Sequence, residues 1–344
     1  MKKILAFALI LCMAFTMIAC GAKEVEYKLG LGVVVSTASS KAGNAQVDAT
    51  IASVVTDADG KIVLCRIDVA QNKMNVTDGA VEADKTFKTK MELGDAYGMA
   101  GKVDNDGNGV MKEWYEQTKA FEAYVVGKTA AEVEAIQTQL VNNHYIAVDQ
   151  ALLDAGCSMQ ITDFMAAVVK ACKDEQGMSF KAVAGSFTLG VAAKTTVDSS
   201  TKAATADAEG AANMYTDIAC AVVADGKVIA TLNDAIQPKI AINAAGECTP
   251  AEFKGTKREL KEGYNRAAFG APNVEGGTVK EWYVQSKAFS DYVVGKTATE
   301  IAGMETKLVN NHYISVEEAL LNAGCTMQIT GICAVVAQAA NNAR

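Results

Sequence analysis

The chain has 344 residues, a formal net charge of −8 and 50% hydrophobic residues. This length and apolar content suffice for two ordinary domains, each with its own hydrophobic core. The acidic balance argues against a nucleic-acid partner, because such a partner requires a basic face.

The first twenty residues have the composition of an export signal. Lys2 and Lys3 supply a positive start, and residues 4–18 form an apolar run that is too short to span a bilayer comfortably. The run ends in Met-Ile-Ala-Cys, which resembles the lipobox of bacterial lipoproteins. This resemblance implies a signal peptide over residues 1–19 and a diacylglycerol thioether on Cys20. Residues 20–26 would then tether the protein to the extracytoplasmic face of the cell membrane; plain secretion is the alternative.

Of the nine cysteines, seven remain once Cys12 leaves with the signal and Cys20 is lipidated. An odd number cannot be paired completely within one chain. Most of the seven lie in apolar sequence, where a free cysteine behaves as a small hydrophobic residue. Free thiols in an exported protein indicate a reducing or anaerobic habitat.

Internal repetition is the strongest pattern in the sequence. Residues 112–162 and 280–330 are closely similar, without a gap and 168 positions apart. Both tryptophans, Trp114 and Trp282, occupy matching positions, and the two histidines match as well. Similarity of this length indicates a duplication.

Upstream of these segments the similarity is weaker, but the order of predicted elements is the same. A glycine-containing strand comes first, and two strands joined by an Asp-Gly turn follow, which is a strong hairpin signal. A charged segment with a tyrosine and then helices complete each half. The sequence therefore predicts an α+β fold of two tandem repeats, residues 27–178 and 179–344, each a small antiparallel sheet followed by helices.

Two local signals locate helix starts in each half. Thr129 and Thr297 each precede a glutamate by three residues, which is a capping-box pattern. The final apolar helix is expected to open at a hydroxyl residue that follows glycine and cysteine. These hydroxyl residues are Ser158 and Thr326.

This order of elements resembles the FMN-binding domain of bacterial flavin-carrying lipoproteins. That domain ends in a Ser/Thr-Gly-Ala-Ser/Thr motif and a helix, and in some members a flavin transferase links FMN through its phosphate to the last hydroxyl. By position, the resemblance implies Ser158 and Thr326 as the attachment residues. The segments around Tyr97 and Tyr264 also look like this group.

The motif is degenerate in both halves, which leaves covalent attachment and simple FMN binding as separate alternatives. Three positions differ from the family: Ala155 and Ala323 stand for Ser or Thr, Cys157 and Cys325 for Ala, and Leu152 and Leu320 for Asp.

A helix N-terminus offers free N–H groups and a positive dipole end to a phosphate, and a flavin ring needs an aromatic wall. Together with the resemblance, this predicts one FMN site in each half. The predicted residues are Tyr97, Trp114, Gly156, Ser158 and Thr162 in the first half, and Tyr264, Trp282, Gly324, Thr326 and Thr330 in the second. The alternatives are helix capping by the hydroxyls and core packing of the tryptophans.

Two other patterns have ordinary alternatives. Cys157 near a helix N-terminus, with His144 upstream, allows a thiol nucleophile, and a structural histidine is the alternative. Residues 104–115 resemble the start of a calcium loop, but Tyr115 occupies the twelfth position, where glutamate belongs. A polar, glycine-rich turn is the alternative there.

The sequence as a whole predicts a membrane-anchored, extracytoplasmic FMN-binding carrier in electron transfer. The cofactor would supply the redox chemistry, and a redox protein would be the partner besides the membrane. The alternative is a surface interaction or structural lipoprotein whose ligand sites have decayed. In both interpretations the chain is not itself an enzyme.

Replacing Cys20 by Ser removes the sulfur that would accept diacylglycerol. We expect the Cys20→Ser chain to lose radiolabelled fatty acid and to leave the membrane fraction. Cys12→Ser, which lies inside the signal, is the matched control and should retain both. Fatty-acid label that persists in Cys20→Ser would place the anchor elsewhere.

Overall fold

The computed structural model describes residues 23–82, 85–102, 105–107, 111–269, 273 and 278–344. The predicted signal peptide and Cys20 lie outside the described residues, as do Asp104, Asn108 and Gly109 of the calcium-loop-like segment. The described part combines helices with antiparallel sheets, so the predicted α+β class is confirmed. Among its helices, none has both the length and the apolar character needed to cross a membrane.

The first half contains seven strands and five helices in the described residues. In chain order they are β1 (Val25–Ser36), β2 (Asn44–Thr56), β3 (Ile62–Thr77), β4 (Ala80–Val81), α1 (Lys90–Leu93), α2 (Trp114–Val125), α3 (Ala130–Glu134), β5 (Thr138–Val141), β6 (His144–Ala147), α4 (Gln150–Asp154), α5 (Thr162–Cys172) and β7 (Met178–Ala182).

The second half follows nearly the same order. Its elements are β8 (Thr188–Val197), β9 (Gly210–Ala224), β10 (Lys227–Ile236), β11 (Lys239–Ile242), β12 (Cys248–Pro250), α6 (Lys257–Leu260), α7 (Trp282–Val293), α8 (Ala298–Ala302), β13 (Thr306–Val309), β14 (His312–Ser315), α9 (Glu318–Asn322) and α10 (Thr330–Asn341). Short 3-10 turns, Gly94–Tyr97 and Lys261–Tyr264, extend α1 and α6.

Local chemistry explains the hairpins and the capped helices. Gly60 and Gly226 take the positive φ angles of 73° and 74° that the turns after β2 and β9 require. The predicted Asp-Gly hairpins are therefore confirmed. Thr129 and Thr297 form the predicted capping boxes at the starts of α3 and α8.

Each half builds one five-stranded antiparallel sheet. The first has the order β4-β3-β2-β1-β7; in the second, β8 and β10 flank β9, and β11 and β12 continue it. Strand β7 begins at Met178 and pairs with β1. The predicted boundary between residues 178 and 179 therefore falls inside a strand of the first sheet.

The two sheets pack face to face and form the central core. Leu29, Ile51 and Met74 of the first sheet lie in one buried cluster with Leu189 and Met214 of the second. Three aromatic rings, those of Tyr27, Phe180 and Phe187, meet in this layer with centroids 5.0 to 5.7 Å apart.

The helices cover the outer face of each sheet. Trp114, Phe121 and Phe164 belong to the core beneath the helices of the first half, whereas Trp282 and Phe289 belong to that of the second. The layers therefore run helix, sheet, sheet, helix, so both faces of each five-stranded sheet are covered.

Glycine lets the final helix of each half approach its sheet closely. A Cβ on Gly30 would overlap the carbonyl oxygen of Ala171 in α5, and one on Gly190 would overlap that of Ala339 in α10. These strands need glycine at the contact because backbone meets backbone there.

Alanine at either contact should therefore force the helix off the sheet. We expect Gly30→Ala and Gly190→Ala to lower the free energy of unfolding by roughly 1–3 kcal/mol or more, as overpacking does. Gly263→Ala is the control, because its Cβ would meet no atom within 4 Å. Thermal unfolding followed by circular dichroism measures the effect; equal melting temperatures for all three variants would contradict the close approach.

Candidate functional site

The final helix of each half begins later than the sequence predicts. Helix α5 starts at Thr162 and α10 at Thr330, and their capping residues make no side-chain capping bond. The prediction that Ser158 and Thr326 open these helices is wrong, and the hydroxyls do not cap them either. The reason is a long-range bond: the N–H of Ile161 donates to the carbonyl of Tyr145 in β6, at 3.1 Å, before the helix can start.

Gly156 and Gly324 end the preceding helices. Their φ angles are 90° and 95°, and the N–H of Gly156 donates to the carbonyl of Leu153 at 2.8 Å. This is a common way to end a helix on glycine. The ammonium of Lys112 lies over Gly156 and donates to Ala155 at 2.9 Å, so the space above the glycine is already filled. Lys280 does the same over Gly324.

A glutamine holds each hydroxyl residue from one side. The Gln117 carbonyl oxygen accepts from the N–H of Ser158 at 3.0 Å, and Gln285 accepts from that of Thr326 at 2.9 Å. The same glutamines donate to the carbonyls of Lys112 and Lys280, 2.8 and 2.7 Å away. The glutamine thus takes the N–H that a bound phosphate would use.

An asparagine closes the motif from the other side. Asn105 donates to the carbonyl of Ser158 at 3.0 Å, and Asn273 donates to that of Thr326 at 2.8 Å. Ser158 is 3% exposed and Thr326 is 8% exposed. In the part of the chain that the structure describes, five cavities of about 350 to 640 Å³ are lined by residues other than Ser158 and Thr326.

A carboxylate lies at the start of each final helix. Asp163 is in the first turn of α5. In the second half the corresponding residue is Gly331, and the carboxylate of Asp217 from β9 reaches into the place of its side chain. Burial raises the pKa of Asp217 to about 6, although Lys257 and Lys194 act against this. The positive end of each helix therefore already faces an acidic group of the chain itself.

The second half does bring Tyr264 and Trp282 together, but around a lysine. The ammonium of Lys257 lies 4.4, 4.7 and 5.8 Å from the ring centres of Tyr215, Tyr264 and Trp282. It donates to the Tyr215 hydroxyl at 3.1 Å, and the residue is 6% exposed. Burial lowers the pKa of Lys257 to about 8. This buried cation holds the aromatic faces by cation–π attraction.

The first half has a looser version of the same cluster. Lys90 lies 4.8 Å from the ring centre of Tyr97 and 5.5 Å from that of Trp114. Trp114 is 3% exposed and packs edge-on against Phe164, with ring centres 5.8 Å apart. Both tryptophans are thus core residues, as the alternative interpretation had it, and Tyr97 is half-buried.

The remaining predicted residues lie apart from these clusters. Thr162 is half-buried and Thr330 is exposed, each as the first residue of its helix. Burial raises the pKa of the Cys157 and Cys325 thiols to about 12, which opposes a thiolate nucleophile. Among the described residues, no group of three or more His, Cys, Asp or Glu side chains could hold a metal ion.

The sequence analysis missed the residues that hold the two motifs. These are the glutamines Gln117 and Gln285 and the lysines Lys112 and Lys280. A signal was present, because Gln117 and Gln285 match in the repeated segments. It also missed the β5–β6 and β13–β14 hairpins. The turn of the β5–β6 hairpin contains Asn142 and Asn143, with φ angles of 50° and 65°. Paired asparagines favour that geometry.

Comparison with known proteins gives a partial likeness. A stretch of 99 residues is 37% identical to a protein named chlorophenol reductase from Desulfitobacterium hafniense. The match covers 25% of this chain and spans 28% of the length of that protein. No family model and no solved structure matches the chain.

Asp217 should make stability depend on pH. Its pKa in the folded protein, about 6, lies above the ordinary 3.8, so the folded state binds the extra proton. The stability that this protonation contributes is full below about pH 4 and is lost as the pH rises through about 6. We expect Asp217→Asn to lack this loss in unfolding curves from pH 4 to 6.5. Asp154→Asn, at an exposed site, is the control; parallel curves for both variants would contradict the assignment.

Proposed function

We propose that the chain is a lipid-anchored, extracytoplasmic binding protein, non-catalytic by itself, whose two flavin-type sites are closed. The observation that carries this proposal is the glutamine bond to Ser158 and Thr326. In each half it occupies the backbone N–H of the residue that a flavin phosphate would have to reach.

Burial of the hydroxyls supports the same conclusion. A transferase that joins FMN to a hydroxyl must bring the phosphate within bonding distance of that oxygen. Ser158 is 3% exposed and Thr326 is 8% exposed, and asparagine and glutamine bonds hold both from opposite sides. Covalent attachment would require each buried residue to become accessible first.

Electrostatics also oppose a phosphate at the helix starts. Asp163 lies in the first turn of α5, and Asp217 fills the equivalent space at α10. A phosphate at either place would meet a like charge instead of a free helix dipole. At the place where the resemblance predicts the FMN phosphate, the protein therefore has its own carboxylate.

The predicted anchor would keep the first half near the bilayer. Strand β1 starts at Val25, so only residues 21–24 separate it from Cys20. A binding protein tethered this closely acts on partners or solutes at the membrane surface.

A second candidate is a membrane-anchored FMN carrier in electron transfer with a redox partner protein. The observation that favours it is the 37% identity, over 99 residues, to a protein named a reductase. This candidate requires FMN to be bound without a covalent link, after release of the glutamine bonds. The aromatic clusters around Lys90 and Lys257 would then be the ring sites.

One titration separates the two candidates. We expect the mature chain without its signal peptide to be colourless and to leave FMN fluorescence unquenched at micromolar concentrations, because the sites are closed. Quenching by the native chain would favour the second candidate. Yellow colour that survives denaturation would contradict closure; Ser158→Ala and Thr326→Ala, as a matched pair, would then identify the half that carries the flavin.

A further inference from the structure

Two cavities lie between the halves at corresponding positions. The first, here the Met91 cavity, has a volume of about 440 Å³ and is lined by residues that include Asp68, Met91 and Glu92. The second, here the Arg258 cavity, has about 350 Å³ and includes Asp234, Arg258 and Glu259.

Hydrogen bonds show that the two cavities correspond residue by residue. The Asp68 carboxylate accepts from the N–H of Met91 at 3.2 Å, and the Asp234 carboxylate accepts from that of Arg258 at 3.0 Å. Each aspartate also accepts from the next residue of its strand, at 2.7 Å in both halves. Met91 and Arg258 therefore occupy the same place.

Three ion pairs cross the Arg258 cavity. Arg258 lies 3.1 Å from Asp174, Lys170 lies 2.6 Å from Glu259, and Lys261 lies 3.4 Å from Glu175. The Arg258–Asp174 pair is buried, whereas the two lysine pairs are more exposed. Side chains of the protein itself therefore neutralise the carboxylates of this cavity.

The Met91 cavity has a neutral residue in place of each of these cations. Met91 replaces Arg258. Gln338, which corresponds to Lys170, donates to Glu92 at 2.6 Å. Gly94 replaces Lys261 with the same backbone geometry, φ 50° against 48°. On the opposite wall, Asn342 and Ala343 occupy the positions of Asp174 and Glu175, so these anions are also replaced by neutral residues.

The carboxylates Asp68 and Glu92 are nevertheless retained, and Asp95 adds a third. Two cations also line the cavity, and each has a partner within the chain. Lys119 lies 5.0 Å from the ring centre of Tyr115, and Arg344 lies 3.0 Å from Glu122. The electrostatic balance of the Arg258 cavity is therefore missing here.

The state of Asp68 agrees with this imbalance. The residue is 2% exposed, and its pKa is raised to about 7, mainly by burial and in smaller part by Glu92, although hydrogen bonds from neighbouring groups act against the rise. Burial also raises the pKa of the equivalent Asp234, but only to about 6, and there Arg258 acts against the rise. A buried carboxylate without a compensating charge gains from a cation that enters beside it.

We propose that the Met91 cavity binds an organic cation, a guanidinium or a primary ammonium group on a short alkyl chain. The head group would lie beside Asp68 and Glu92, on the wall of the cavity that carries its carboxylates, and the alkyl chain would contact Met91. A planar guanidinium matches paired carboxylate oxygens especially well. The proposal does not depend on whether the flavin-type sites are closed.

Calorimetric titration of the mature chain tests this site. The probes are n-butylguanidinium and n-butylammonium, with neutral n-butylurea of similar shape as the control. We expect at least one cation to bind with 1:1 stoichiometry, and at least tenfold more tightly than the urea. The stronger of the two cations identifies the preferred head group.

Variants then locate the binding. Asp68→Asn should weaken cation binding at least tenfold, because it removes the buried charge. Met91→Arg should abolish binding, because its guanidinium would occupy the cavity that the ligand needs; circular dichroism checks that this variant folds. Asp154→Asn, outside the cavity, should bind like the parent.

Failure has a clear form as well. Absence of cation binding by the parent chain, or equal binding of n-butylurea, would overturn the proposal. So would unchanged affinity in both Asp68→Asn and Met91→Arg when circular dichroism shows them folded. The FMN titration has a separate readout, so either proposal can fail without the other.

Discussion

The contact between the two sheets is the interaction on which the rest of the structure depends. Each sheet has one face covered by helices, and its other face would be exposed if the halves separated. The shared core around Leu29, Met74, Leu189 and Met214 removes both inner faces from water. Because this packing joins the halves, residues from one half line cavities together with residues from the other.

The predicted flavin sites show how a motif can have the expected order of residues while the chain itself satisfies its polar groups. Gly156 still ends a helix and Ser158 still precedes another, but Gln117, Lys112 and Asn105 now satisfy the backbone groups around them. Buried polar groups need such partners, and the protein supplies them itself. A ligand would have to displace several bonds at once. This is why we favour a binding protein without bound flavin over a carrier.

The differences between the halves are as informative as the similarities. Arg258 bridges to Asp174 across the interface, whereas Met91 at the equivalent place does not. The aspartate beneath them is retained in both halves, since it accepts backbone N–H groups at the start of α1 or α6. The organic cation that we propose for the Met91 cavity would lie beside the first of these aspartates. The similarity of the two halves thus provides an internal comparison.

The sequence by itself determined the features that depend on neighbouring residues. Asp-Gly turns need a positive φ angle that glycine supplies, and Thr129 caps a helix through bonds within three residues, so hairpins and capping boxes were predictable. Only the tertiary structure decided where α5 begins, because the bond from Ile161 to Tyr145 joins a hairpin that the sequence did not reveal. It also decided that Gln117 seals the motif and that Lys257 fills the aromatic cluster. These contacts join residues distant in the chain, and periodicity or local propensity carries no information about which distant groups meet.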